Sequence, residues 1–145
     1  MKRTKIIAKS TLVLLLVCSL VFAFASCKDA GADTDVWENA KYSSQTELGE
    51  GEKTLVVEVT ADEKTVTFTV NTDCTTVGEA LLECGLIAGE EGQYGLYVKE
   101  VNGIVADYDV DGYYWGFYKG GEFMLTGVDG TAIVGGESFE LVREK

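Results

Sequence analysis

Three carboxylates stand at alternate positions, Asp107, Asp109 and Asp111, with Gly112 behind them. D-x-[DN]-x-[DN]-G is the first half of a calcium loop, where hard oxygen ligands gather round the ion. An EF-hand loop also needs a bidentate acid at its twelfth position, and here that position is Tyr118, inside an aromatic run. Three carboxylates can still hold Ca²⁺ weakly at extracellular concentrations, but half a ligand set reads first as a polar turn with solvated acids. Cys74 and Cys84 flank a short helical pattern. Ten residues at ~1.5 Å rise hold them ~15 Å apart, whereas a disulfide needs Cα atoms within ~7 Å. They are expected as unbridged, small apolar side chains. No C-x-x-C is present, so thiol redox catalysis is not indicated.

The chain of 145 residues has no His. That removes the usual neutral-pH general base, every Ser-His or Cys-His pair and every imidazole metal ligand. Pairs of acids are easily drawn from 24 Asp and Glu, but none sits in a recognisable cleft pattern. No enzyme activity and no cofactor are expected. With 12 Lys and Arg the net charge is −12, which argues against nucleic acid as a partner, since that affinity comes from cations on phosphates.

The conspicuous chemistry is aromatic: Tyr113-Tyr114-Trp115-Gly116-Phe117-Tyr118, with Tyr94, Tyr97, Tyr108 and Phe123 nearby. On a strand, Trp115 and Phe117 share one face, and Tyr114, Gly116 and Tyr118 share the other. One face belongs to a core. The other is either a platform for a flat ligand or an ordinary half-exposed tyrosine face.

These residues need elements to hold them. Thr54–Thr60 and Lys64–Val70 are β-branched or alternating runs across the polar turn 61–63, a hairpin pattern. Thr76-Val77-Gly78-Glu79 matches a capping box, and Val77, Ala80, Leu81 and Cys84 follow at helical spacing. Gly85 is placed as the left-handed stop. After a Gly/Glu loop at 89–92, Tyr94–Val101 reads as a strand, Asn102-Gly103 as a tight hairpin turn, and Ile104–Ala106 as its return. Residues 107–112 read as a loop, Tyr114–Lys119 as a strand, Gly120-Gly121 as a turn, and Glu122–Leu125 and Ser138–Arg143 as further strands. The predicted class is α+β, β-grasp-like, with one short helix on a mostly antiparallel sheet.

The first 26 residues carry a different message. Lys2, Arg3, Lys5 and Lys9 precede an apolar run over 12–25, too short for a comfortable membrane span, which needs ~20 residues. The run ends in Ala25-Ser26-Cys27. This resembles the lipobox of bacterial lipoproteins, which implies a signal peptide over 1–26 and a Cys27 diacylated with palmitate-type chains. Two chains anchor a protein stably. The implied location is the extracytoplasmic face of a bacterial cytoplasmic membrane. Residues 27–52 carry seven acids and no apolar period, and are expected as lipidated cysteine plus flexible acidic linker. Trp37 and Tyr42 within them read as incidental. The domain proper is expected over 53–145.

Within that domain, Thr76–Leu81, Tyr94–Val98, Val101-Asn102-Gly103-Ile104, the Asp-rich loop before Tyr114-Trp115, Gly120-Gly121-Glu122, Gly127 and Leu141-Val142 occur in a distinctive order. Together they resemble the transcobalamin C-terminal domain family, in its bacterial surface-lipoprotein branch. The resemblance implies a β-grasp-type fold and a ligand-facing set of Tyr97, Trp115, Phe123, Met124, Leu125 and Thr126. It also implies a corrinoid such as cobalamin as the possible ligand, passed to a membrane transporter. Two features depart from the family: the large helical partner domain is missing, and no His is available to cobalt. The alternative expectation is a surface module that recognises a protein or glycan through the same aromatic strand or a sheet edge.

Overall fold

The computed structural model describes residues 35–145. The expected signal peptide, Cys27 and residues 28–34 lie outside the described residues.

Strands β1 (Thr46–Gly49), β2 (Lys53–Ala61) and β3 (Lys64–Thr72) come first. In the β2–β3 hairpin, alternation sends Leu55, Val57, Val59 and Ala61 inward beside Val66, Phe68 and Val70, all buried. Helix α1 (Val77–Glu83) starts on the capping box read from the sequence. Thr76 Oγ1 accepts the Glu79 N–H at 3.3 Å, and the Glu79 carboxylate accepts the Thr76 N–H at 3.2 Å. Gly85 ends it with φ 69°. Strands β4 (Ile87–Gly92), β5 (Gly95–Val101) and β6 (Ile104–Val105) form a three-stranded antiparallel sheet. A one-turn helix α2 (Tyr108–Asp111) follows, then β7 (Tyr114–Lys119), β8 (Glu122–Phe123) and β9 (Ser138–Glu144). The larger sheet has six strands in the order β1-β3-β2-β9-β7-β8.

The α+β class stands, with five corrections. The six-stranded sheet is mixed, because β1 runs parallel to β3, and β9 parallel to β2. Pairing between strands some eighty residues apart leaves no local signal. Residues 89–92 are strand rather than loop; they pair with β5 through a register shift at Ala88/Gly89. Every residue from Ala88 to Gly92 is exposed, so no apolar alternation marks the strand. The strand after the Gly-Gly turn ends at Phe123, not Leu125. Residues 107–112 hold a helical turn.

The fifth correction is the largest. Residues 35–52 are not a free linker. Val36–Asn39 form a 3-10 turn that buries Trp37 to 8 % exposure, and its indole N–H donates to the Ala61 carbonyl at 3.0 Å. Lys64 Nζ lies 4.5 Å from the centre of that ring. Tyr42 packs edge-on to Phe68. The buried Asn102 amide donates to the Tyr42 carbonyl at 2.8 Å and accepts the Tyr42 N–H at 3.0 Å. The segment is ordered by separate side-chain anchors rather than by a repeating apolar stripe, and a search for periodicity passes over it.

The inner face of the large sheet, α1 and the small sheet enclose one core. Phe68 and Phe139 are fully buried within it. Among the described residues no helix is long and apolar enough to cross a membrane.

Candidate ligand-binding site

Alternation on β7 sends Trp115 and Phe117 inward and leaves Tyr114 and Tyr118 on the other face. Phe117 stacks on Phe139, with ring centres 5.4 Å apart. Trp115 stays at the edge of this packing and helps to wall a cleft of ≈150 Å³. The other walls come from β5 (Leu96, Tyr97, Val98), from β8 and the loop behind it (Phe123, Met124, Thr126, Gly127, Val128), and from Leu141 of β9. The cleft therefore lies where the two sheets meet.

Asp129 joins two of these walls. It sits in the 3-10 turn Val128–Gly130, and its carboxylate accepts the Leu96 N–H at 3.1 Å. Gly95 makes that approach possible: its φ is 104°, and a Cβ there would run into the Asp129 carboxylate. The Thr131 hydroxyl donates to the Gly127 carbonyl at 2.9 Å and closes the loop behind the cleft.

Five of the six expected ligand residues line this cleft: Tyr97, Trp115, Phe123, Met124 and Thr126. Leu125 does not; it points away and is 98 % exposed. Leu96, Val98, Val128 and Leu141 were not anticipated. They look like any apolar strand residues in the sequence, and nothing local separates a cleft wall from a core. Tyr97 and Phe123 are exposed at the rim, Met124 is half-buried, and Trp115 is 7 % exposed. None of the described lining side chains carries a formal charge, in a chain with 36 charged residues. Among the described residues, the Trp115 indole N–H has no acceptor. A buried donor left unpaired costs about 1–3 kcal/mol.

The opposite face of β7 is closed on itself. Tyr114 and Tyr118 donate to the two oxygens of Glu144 at 2.8 and 2.7 Å. The hydrogen bond to Glu144 is the main reason that the Tyr118 phenol is pushed up to about 12. Gly116, on the same face, is buried, and Tyr118 Cε2 lies 2.7 Å from where a Cβ would stand. This face is no open platform.

The acidic loop likewise spends its carboxylates locally. Asp107 caps α2 by accepting the Asp109 N–H at 3.2 Å, and it pairs with Lys99 at 3.1 Å. Asp111 accepts the Asp107 and Tyr113 N–H groups at 3.2 and 2.9 Å and pairs with Arg143 at 3.3 Å. The weak calcium candidate Asp107, Asp109 and Asp111 does not converge, and among the described residues no group of three His, Cys, Asp or Glu could hold a metal ion. Cys74 and Cys84 are free thiols, as expected. Cys74 donates to Glu83 at 2.9 Å, which raises its thiol above the usual range; burial does the same for Cys84. Neither is an activated thiolate.

Among the described residues, further hollows include two that the expected site residues do not line. The larger, ≈540 Å³, is bounded by Val36, Asn39 and Gly103–Val105. Among the described residues, its one side-chain polar group is the Asn39 amide. The smaller, ≈210 Å³, lies beside Gly49, Asn71 and Cys84.

No family model matches the chain, and no curated protein matches it. Among solved structures, a protein from Ruminococcus gnavus proposed to bind metal is similar, with 36% identity and a TM-score of 0.61. The match covers 65% of this chain and 98% of that one. The chain belongs to the family of that protein. Family membership rests on that 65% of the chain and leaves the ligand open. A crystal structure of haptocorrin in complex with Cbi is a distant structural relative: 23% identity and a TM-score of 0.48 over 64% of this chain and 25% of that one, a likeness that assigns nothing here.

Proposed function

We propose that this chain is a membrane-anchored, extracytoplasmic binding module, not an enzyme, whose cleft captures a largely apolar small molecule. A cobalamin-like corrinoid, handed on to a membrane transporter, is the ligand to test first. One observation carries the reading: three separated stretches, around Tyr97, Trp115 and Phe123–Thr126, converge on a single uncharged cleft. At ≈150 Å³ the cleft takes only part of a large ligand, since drug-sized sites run to about 300–1,000 Å³. A partner or the transporter would cover the remainder.

The topology supports a β-grasp arrangement. Helix α1 follows the β2–β3 hairpin, and the last strand lies parallel to β2 in the middle of the sheet. The Ruminococcus gnavus relative is proposed to bind metal; no grouping of metal ligands among the described residues favours carrying that over.

Thermal denaturation with a panel of corrinoids tests the proposal. A corrinoid at 100 times its Kd adds about 2.7 kcal/mol to stability. No shift with any corrinoid at high micromolar concentration removes the corrinoid and leaves the protein- or glycan-recognition alternative.

A further inference from the structure

The two tryptophans differ in one respect. Trp37 donates its indole N–H to Ala61. Trp115 is as deeply buried, and its N–H is the one buried side-chain polar atom without a partner among the described residues. Trp115 itself lines the cleft. An indole N–H can only donate, so its missing partner is an acceptor. The rest of the wall narrows the choice. A charged group entering among Leu96, Val98, Phe117 and Val128 would lose its water and meet no counter-ion. The volume, ≈150 Å³, is that of an apolar cavity able to hold a benzene-sized ring.

We propose that Trp115 is the specificity-determining donor of the cleft, taking a carbonyl or amide oxygen carried on an uncharged, ring-sized edge of the ligand. This rests on the cleft being a binding site, but not on the ligand being a corrinoid. The N–H has almost no surface of its own, so the acceptor reaches it only where the lining gives way. Met124 is half-buried and unbranched, and of the lining side chains it yields most readily. The unpaired donor is then a stability cost that ligand binding relieves.

The test uses the full chain, labelled with ¹⁵N-tryptophan, in lipid bicelles. It is titrated with cyclohexanone and with cyclohexane, which has the same ring and no acceptor. With the ketone, the Trp115 indole resonance moves downfield and saturates, while that of Trp37 stays in place. In Trp115→Phe the ratio of ketone to alkane affinity falls about tenfold, the worth of one buried donor satisfied. Trp115→Phe removes buried ring volume as well as the N–H, so the affinity ratio, and not its melting temperature, reads the donor. A Trp115 resonance unmoved by the ketone overturns the assignment on the wild-type chain alone, and so does an affinity ratio unchanged in Trp115→Phe. A parallel corrinoid titration separates the two claims. Ketone binding without corrinoid binding upholds the donor and removes only the corrinoid. Corrinoid binding with no ketone effect removes the donor.

Discussion

Replacing Trp37 by Ala asks whether the segment before residue 53 belongs to the domain. The ring is 8 % exposed, so the substitution empties most of a large buried volume. Truncations of this kind cost about 3–5 kcal/mol. The Ala61 carbonyl loses its 3.0 Å donor, and Lys64 loses the ring beneath its ammonium. Those losses belong to the same range rather than adding to it, since all of them arise from one side chain leaving. For a domain near 100 residues each kcal/mol moves Tm by about 4 °C or more, so a fall of roughly 12–20 °C is expected. Urea denaturation followed by circular dichroism gives the free energy directly, and an unchanged m-value shows that the native state remains compact. A loss below about 1 kcal/mol, the level of an ordinary surface change, would mean that Trp37 lies loosely on the domain. The anchoring of residues 35–52 would then be refuted.

Three further outcomes follow. Gly95→Ala forces a side chain into a left-handed backbone and against Asp129; a loss of about 1–3 kcal/mol and a weaker ligand response are expected, read by denaturation and by corrinoid titration. Tyr118 should ionise near 12 rather than near the 10 of a free phenol. A raised phenol contributes stability below pH ~10 that is lost as pH rises towards ~12. Ultraviolet titration and alkaline melting therefore differ between the wild type and Tyr118→Phe in that window, and identical profiles would remove the Glu144 effect. Cys27→Ala should move the protein from the membrane fraction to the soluble one; continued membrane retention would count against lipid anchoring.

Local chemistry was legible and long-range pairing was not. The Thr76–Glu79 capping box, the turn after Ala61, Asn102-Gly103 and the inward facing of Trp115 and Phe117 all follow from a few adjacent residues. The parallel pairing of β2 with β9 brings together strands with nothing in common locally. Trp37 and Tyr42 read as incidental because an isolated aromatic has no period. Of the cleft, Tyr97, Trp115, Phe123, Met124 and Thr126 came from the family resemblance rather than from spacing. Asp129, which ties the loop to β5, had no signal at all: its role depends on Gly95 being 34 residues away in sequence and adjacent in space. The Asp107–Asp111 motif shows the reverse failure. A regular spacing of acids was visible, but Lys99 and Arg143, which engage two of them, were not.

The chain has two methionines, Met1 and Met124, and Met124 lines the cleft. A ¹³C-methyl-methionine label therefore gives one reporter inside the candidate site. Titration of the labelled full chain with a corrinoid is expected to shift the Met124 methyl resonance to saturation, with nuclear Overhauser contacts from that methyl to the ligand. A methyl resonance unmoved by a saturating corrinoid, whether or not it binds elsewhere, would contradict capture at this cleft.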